Sequence, residues 1–307
     1  MNAAVDQYQG CLLGLALGDA IGAPFEGGPV ERALWHVIGK TRNHLPRWTD
    51  DTQMSLDVAQ VLLEHQAIDQ DRLAEQFAGS YAWSRGYGPG TARQLKLVKR
   101  GTHWPEARST VFKDGSFGNG AAMRSPPVAL FFYNDFERLI AETKKAAAVT
   151  HAHPLAIQGA VAISIVIYFA LQGRNYPEMW RLLKERCASP VFSTKIGLAE
   201  RWADGSSEIA KGEVVKLLGN GMAAQDSVVT AIYAATRFMS RSFGEMISFI
   251  ISFKGDVDTI GAMAGAIWGA ANGSATLEGI PVEARDQLKW VAMELYKKRL
   301  PPFICGQ

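Results

Sequence analysis

The 307-residue chain has only three cysteines, Cys11, Cys187 and Cys305. They are odd in number, far apart and without CxxC spacing, which excludes a disulfide framework and a zinc ribbon. Neither charge sign is in excess: 32 Lys and Arg stand against 30 Asp and Glu, a formal net charge of +2. A protein that grips nucleic acid by general electrostatics needs a strong basic surplus, so no nucleic-acid partner is expected. An acidic small-molecule substrate remains open. Long hydrophobic runs are also scarce. The most apolar window, Leu155 to Leu171, is interrupted by Gln158, Gly159 and Ser164. A membrane span needs about 20 apolar residues, so this window reads as a helix buried at the centre of the protein, and no membrane partner is expected. Met1 to Gln7 show no basic segment followed by an apolar run, so no signal peptide is expected and a reduced, cytoplasmic protein is.

Hydrophobic residues make up 48% of the chain and charged residues 20%, enough for a sizeable core and too little net charge for disorder. No run alternates apolar and polar residues long enough to predict a strand. The periodicity is helical instead. Met54, Val58, Val61 and Leu62 share one face after Asp51, with Gln53, Asp57, Gln60 and Glu64 opposite; Leu288, Val291 and Leu295 repeat likewise. Further helices are expected near 5–17, 69–83, 91–100, 119–132, 135–149, 176–187, 206–218, 225–239, 243–253 and 258–272. Glycine-rich or polar breaks separate them, at Gly27-Gly28-Pro29, Arg85 to Gly90, Lys113 to Gly120 and Gly219 to Gly221. None is long enough to link domains. The expectation is one compact all-α domain over 1–307.

Several segments exceed what structure alone requires. Trp48-Thr49-Asp50-Asp51-Thr52 opens a helix. One Thr or Asp there would merely cap it, but two adjacent Asp between two Thr crowd together hard oxygen donors of the kind Mg²⁺ prefers. Gly255-Asp256-Val257-Asp258-Thr259 is a second such cluster at a second helix start, about 200 residues away. If the two converge, a cation is the natural compensation for carboxylates that otherwise repel. A third segment, Gly10 to Glu26, is rich in small residues and ends in a turn with Asp19 and Glu26. In Asp114-Gly115-Ser116-Phe117-Gly118-Asn119-Gly120 the glycines expose backbone N–H groups to an anion such as phosphate. Arg85 to Thr91 is another candidate backbone cradle, and Thr150-His151-Ala152-His153 precedes the buried helix. Two histidines alone do not make a zinc site.

Together and in this order, LGLALGDAIGAPFE, WTDDTQMSL, RGYGPG, GSFGNGAAMR, THAHP and GDVDTIGAMAGAIWGA resemble the ADP-ribosylglycohydrolase family, from residue 10 to residue 270. The resemblance implies an orthogonal helical bundle with two Mg²⁺ (or Mn²⁺) ions at its centre. It implies removal of ADP-ribose from a modified protein or a small acceptor, with free ADP-ribose as product. One ion would be held by Thr49, Asp50 and Asp51. The other would be held by Asp256, Asp258 and Thr259, with Asp258 bridging both. Glu26, Asp50 and Asp258 are the catalytic candidates it implies, and Asp19 is read as structural, holding its own turn. Asp114, Gly115, Ser116, Phe117, Gly118, Asn119 and Gly120 match the pyrophosphate loop, Gly88 a second phosphate turn, and His151 the histidine near the distal ribose. Val257 replaces a residue that is polar in many relatives, at a position expected to face away from the ions.

TDDTQMSL and the alanine- and glycine-rich last segment look most like the branch acting on ADP-ribosyl-arginine. RGYGPG and GSFGNGAAMR also resemble the branch acting on ADP-ribosyl-serine and O-acetyl-ADP-ribose. The arginine linkage is therefore the expectation, and the O-linkage the alternative. A non-catalytic ADP-ribose binder, or a structural protein like the family's lens members, would be expected to have lost metal ligands. All six, and Glu26, are present.

Overall fold

The computed structural model describes residues 3–173, 175–203 and 209–299. Seventeen α-helices are described: α1 (Val5–Gly22), α2 (Pro29–Ile38), α3 (Asp50–His65), α4 (Gln70–Ser80), α5 (Pro89–Lys99), α6 (Trp104–Val111), α7 (Gly120–Met123), α8 (Pro126–Phe131) and α9 (Phe136–Ala148), then α10 (Pro154–Leu171), α11 (Tyr176–Arg186), α12 (Pro190–Ala203), α13 (Lys211–Leu217), α14 (Val228–Arg237), α15 (Phe243–Ile251), α16 (Val257–Asn272) and α17 (Arg285–Lys298). Among the described residues there is no strand, only the isolated bridges Lys40–Pro46 and Gly118–Ala223. The protein is all-α.

Two helices differ from the periodicity in an instructive way. The run expected over 119–132 is split into α7 and α8 because Pro126 and Pro127 cannot continue a helix from the preceding turn. The one expected over 206–218 is seen as α13; residues 206–208 lie outside the described residues. Cys305 lies outside them too. Helices α2, α6 and α12 were not expected. Each carries a proline at its start, Pro29, Pro105 and Pro190. There the fixed φ and missing N–H favour a first helical turn although the residue reads as a break.

Two helices, α1 and α16, form the axis. Gly10, Gly14 and Gly18 of α1 face Gly269, Gly265 and Gly261 of α16, pair by antiparallel pair. A Cβ at Gly14 would overlap the Gly265 carbonyl, and one at Gly265 the Gly14 carbonyl. Only glycine lets the two backbones touch, so dispersion and weak Cα–H···O contacts replace side-chain packing. The same contacts carry α1 beyond the expected residue 17 to Gly22, where a Cβ would stand 2.5 Å from Asp258 Cα. The end of α1 is thereby pinned to the start of α16. The long apolar helix α10 is long enough to cross a membrane by length and composition, yet 72% of it is buried. It packs on α7, α8, α9, α11 and α16.

Candidate active site

The pinned ends of α1 and α16 form one side of a cleft of about 270 Å³. Glu26, one residue past the 3₁₀ turn Ala23–Phe25 that ends α1, enters it beside Asp256 and Asp258 at the start of α16. Carboxylate oxygens of these three lie within 4.8 Å of one another. Asp50 and Asp51, in the first turn of α3, complete an acidic wall of five carboxylates. The two clusters meet where Thr259 Oγ1 lies 3.4 Å from Asp51 Oδ2.

Helix capping does not account for these acids. Thr49 is the N-cap of α3: its Oγ1 accepts from Asp51 N–H at 3.3 Å and donates to Asp51 Oδ2 at 2.8 Å. It stands behind the wall rather than in the cleft lining. Asp19, on α1, accepts from Thr49 N–H at 2.8 Å, from Thr52 N–H at 3.1 Å and from the Thr52 hydroxyl at 2.6 Å. Asp19 is thus structural, but it holds the start of α3 rather than its own turn. Asp256 occupies the N-cap position of α16 without a capping bond from its side chain. It instead accepts from Asn119 Nδ2 at 2.5 Å.

The electrostatics are unfavourable as they stand. Among the described residues no basic side chain contacts any of the five carboxylates, and Asp51 Oδ1 and Asp258 Oδ1 are buried without a hydrogen-bond partner. Burial first, then the neighbouring acids, push Asp50, Asp51 and Asp258 well above the usual carboxylate range. Burial does the same to Glu26, raised to about 7, with Asp256 and Asp19 adding to the shift. Orphaned carboxylate oxygens next to threonine hydroxyls are the donor set of a hard divalent cation. The residues present fit one.

The rest of the lining is neutral. Ser116, Phe117, Gly118, Asn119 and Gly120 contribute to it, with Gly88 and its neighbours at the start of α5 and with His151. Asp114 and Gly115 do not reach the cleft lining. Gly115, at φ +82°, lies where a Cβ would be 2.6 Å from His153 N, so it seats the loop on the segment before α10. His153 itself caps α10, accepting from Leu155 N–H. Part of the loop's backbone is spent internally: Gly118 N–H donates to Ser116 Oγ and Asn119 N–H to the Met222 carbonyl. The Asn119 side chain turns away from the cradle and donates to Asp256 and to Ser227 Oγ. The helix expected to orient the loop is the single turn α7, so the dipole expected there is slight. The 11-residue helix α5, whose first turn faces the same cleft, supplies a longer one.

Three lining residues carried no motif, and Arg85, whose segment was read as a backbone cradle, acts through its side chain. Phe112, Met222 and Ala223 line the cleft, and Ala224 N–H donates to the Phe117 carbonyl, pairing this segment with the loop. Arg85 donates to the Trp48 carbonyl at 2.8 Å and is held bidentately by Glu283 at 2.7 and 3.0 Å, which fixes the chain entering α3.

Fold and cleft define an all-α protein whose cation-adapted acidic wall shares its cleft with a neutral cradle rich in backbone N–H groups. The chain matches the ADP-ribosylglycohydrolase family model over residues 1–302 and belongs to that family; it is a hydrolase of that class. It is 31% identical to ADP-ribosylhydrolase ARH3 of Mus musculus, over 91% of this chain and 86% of that protein. An uncharacterized protein of Archaeoglobus fulgidus is 32% identical, over 95% and 96%. A solved structure titled ADP-ribosylglycohydrolase-related protein complex superimposes with a TM-score of 0.74 at 26% identity, covering 96% of this chain and 99% of that one.

Proposed function

We propose that this hydrolase releases ADP-ribose from O-linked modifications, such as ADP-ribosyl-serine on a protein, with two Mg²⁺ ions held in the acidic wall. The observation that carries the reading is the Glu26, Asp256 and Asp258 group, with carboxylate oxygens within 4.8 Å of one another, in the same cleft as Gly88 and Ser116 to Gly120. The linkage departs from the sequence expectation because the named relatives are ARH3 proteins, which are O-linked ADP-ribose hydrolases. Of the two segments that suggested arginine, the alanine- and glycine-rich one is α16, whose glycines pack against α1 and so answer to helix packing. The other, TDDTQMSL, lines the cleft through Asp50, Asp51 and Met54 just as RGYGPG and GSFGNGAAMR do, and does not separate the branches.

The bound ions would chelate ribose hydroxyls and polarise the sugar, held by Asp50 and Asp51 on α3 and by Asp256, Asp258 and Thr259 on α16, with Thr49 orienting Asp51 from behind the wall instead of reaching an ion itself. The protein's own groups do the rest. The glycine wall takes the pyrophosphate and leaves C1″ beside Glu26. Water adds at C1″ and the bond from C1″ to the acceptor oxygen breaks. The Glu26 carboxyl carries the proton lost by water to the departing oxygen, a task suited to a group near neutrality. Release of free ADP-ribose from serine-linked and arginine-linked ADP-ribosyl peptides, with and without EDTA, tests this. Serine-linked peptide should be cleaved and EDTA should stop it. Preferential cleavage of the arginine linkage would overturn the O-linkage, and tight binding without release would make the protein a binder.

A further inference from the structure

Arg124 is among the largest fully buried side chains, 1% exposed, and no carboxylate touches it among the described residues. Its Nη1 donates to the Gly120 carbonyl at 2.6 Å, and its Nη2 to the Ala146 carbonyl at 3.1 Å and to Thr150 Oγ1 at 2.7 Å. The guanidinium lies 5.0 Å over the Phe77 ring. A buried cation met only by neutral oxygens is costly to keep, and its position beneath the glycine wall gives it a use.

Thr150 Oγ1 accepts from Arg124, so its own proton must go elsewhere. A guanidinium offers no acceptor. Among the described residues the hydroxyl's other partner is His151 Nδ1, at 2.7 Å. If Nδ1 donated instead, the buried hydroxyl proton would have no acceptor among the described residues, so the favoured arrangement has Nδ1 accepting and the ring proton on Nε2. His151 lies on the cleft wall. Its Nε2 abuts the loop: a Cβ at Gly118 would lie 3.3 Å from it and one at Gly120 2.9 Å. No protein group accepts the Nε2 proton among the described residues. We propose that Arg124 and Thr150 are positioning residues that hold His151 as the Nε2–H tautomer, whose N–H donates to an oxygen of the ADP-ribose seated on the glycine loop. The tautomer rests on protein geometry alone; the identity of the acceptor rests on the function proposed above. Burial, aided by the Arg124 charge, pushes His151 down to about 3, so the ring is neutral and serves as a donor rather than a proton carrier.

The test begins without ligand or metal. Two-bond ¹H–¹⁵N spectra of the histidine-labelled full chain at neutral pH distinguish the two tautomers, with the His151 signals identified by their loss in His151→Gln. The parent and Thr150→Ser should show Nε2–H, and Thr150→Val should populate both tautomers. By calorimetry with ADP-ribose, Thr150→Val should bind about tenfold more weakly, and Thr150→Ser within about twofold of the parent. A parental His151 carrying its proton on Nδ1, or charged, overturns the assignment. An unchanged tautomer in Thr150→Val overturns the positioning role. A changed tautomer with unchanged affinity overturns the donor role. If the parent shows Nε2–H but does not bind ADP-ribose, the function proposed above fails and takes the acceptor with it, while the tautomer stands.

Discussion

The two walls of the cleft are built on opposite electrostatic principles. The acidic wall gathers four carboxylates at helix starts and Glu26 just past the end of α1, buries most of them and leaves Asp51 Oδ1 and Asp258 Oδ1 without partners. The glycine wall has no acid in the lining and spends polar groups on itself, Gly118 on Ser116, Asn119 on Met222 and Arg124 on Gly120. One wall stores repulsion that a cation or bound protons relieve, whereas the other carries no like charges and needs no ion to hold its shape. The bond from Asn119 to Asp256 joins them.

The largest expected effect lies in the acidic wall. Asp258→Asn should lower ADP-ribose release by about three orders of magnitude, since several kcal/mol of ion-assisted stabilisation depend on that carboxylate. Without metal its melting temperature should equal or exceed the parent's, because a buried like charge has gone. Near-parental hydrolysis would remove Asp258 from the site.

Next is the neutral wall. At Gly120 a Cβ would lie 2.7 Å from His151 Cε1, so Gly120→Ala should cost about 1–3 kcal/mol of overpacking. The crowding displaces His151 and the loop it abuts, so calorimetry should also read a loss of ADP-ribose affinity, up to roughly fivefold to hundredfold if that whole cost falls on the bound geometry. The loss should be of similar size with and without Mg²⁺; an effect confined to the ion-loaded protein would contradict the independence of the two walls.

A pH series compares the walls directly. Burial raises Glu26 and Asp19, to about 7 and about 6, above their ordinary values of 4.5 and 3.8. The folded state then holds protons that the unfolded chain has released, so stability falls as pH rises through that interval. The metal-free melting temperature should be higher at about pH 5.5 than at about pH 8, and excess Mg²⁺ should raise it more at the higher pH. His151, held neutral when folded, titrates in the opposite sense below 6.5, so the control is His151→Gln; a flat metal-free profile in that variant would mean that the acidic wall is not frustrated.

The smallest effect is expected at Ser116. Its hydroxyl accepts from Gly118 N–H, so Ser116→Ala should cost on the order of 1 kcal/mol, about fivefold in ADP-ribose affinity. It should raise KM more than it lowers kcat, because contacts to the unreacting pyrophosphate hold ground and transition states alike.

Much of this was legible in the sequence because periodicity and clustering are local. The helical class, the burial of the Leu155 to Leu171 run, and Asp50, Asp51, Asp256 and Asp258 as excess acids at helix starts could all be seen there. Helices α2, α6 and α12 could not, since a starting proline and a breaking proline look alike until packing shows which side the helix takes. Asn119 stood in a loop that looked wholly turned to phosphate, yet its amide is committed to Asp256 and Ser227 across 137 and 108 residues. Met222 and Ala223 had no motif, because their part is to pair backbone with the loop.

Residue types set the available chemistry: hard oxygen donors in two places, glycines in two others, and a composition that permits one all-helical core. Which of these groups meet was decided by tertiary contacts. The ladder from Gly10–Gly269 to Gly18–Gly261 brings Glu26 to Asp256 and Asp258, and Asp19 reaches across from α1 to fasten the start of α3. These pairings span about 30 to 260 residues of chain. Spacing along the sequence holds no record of them, because close approach depends on the shape of two helix surfaces rather than on either alone.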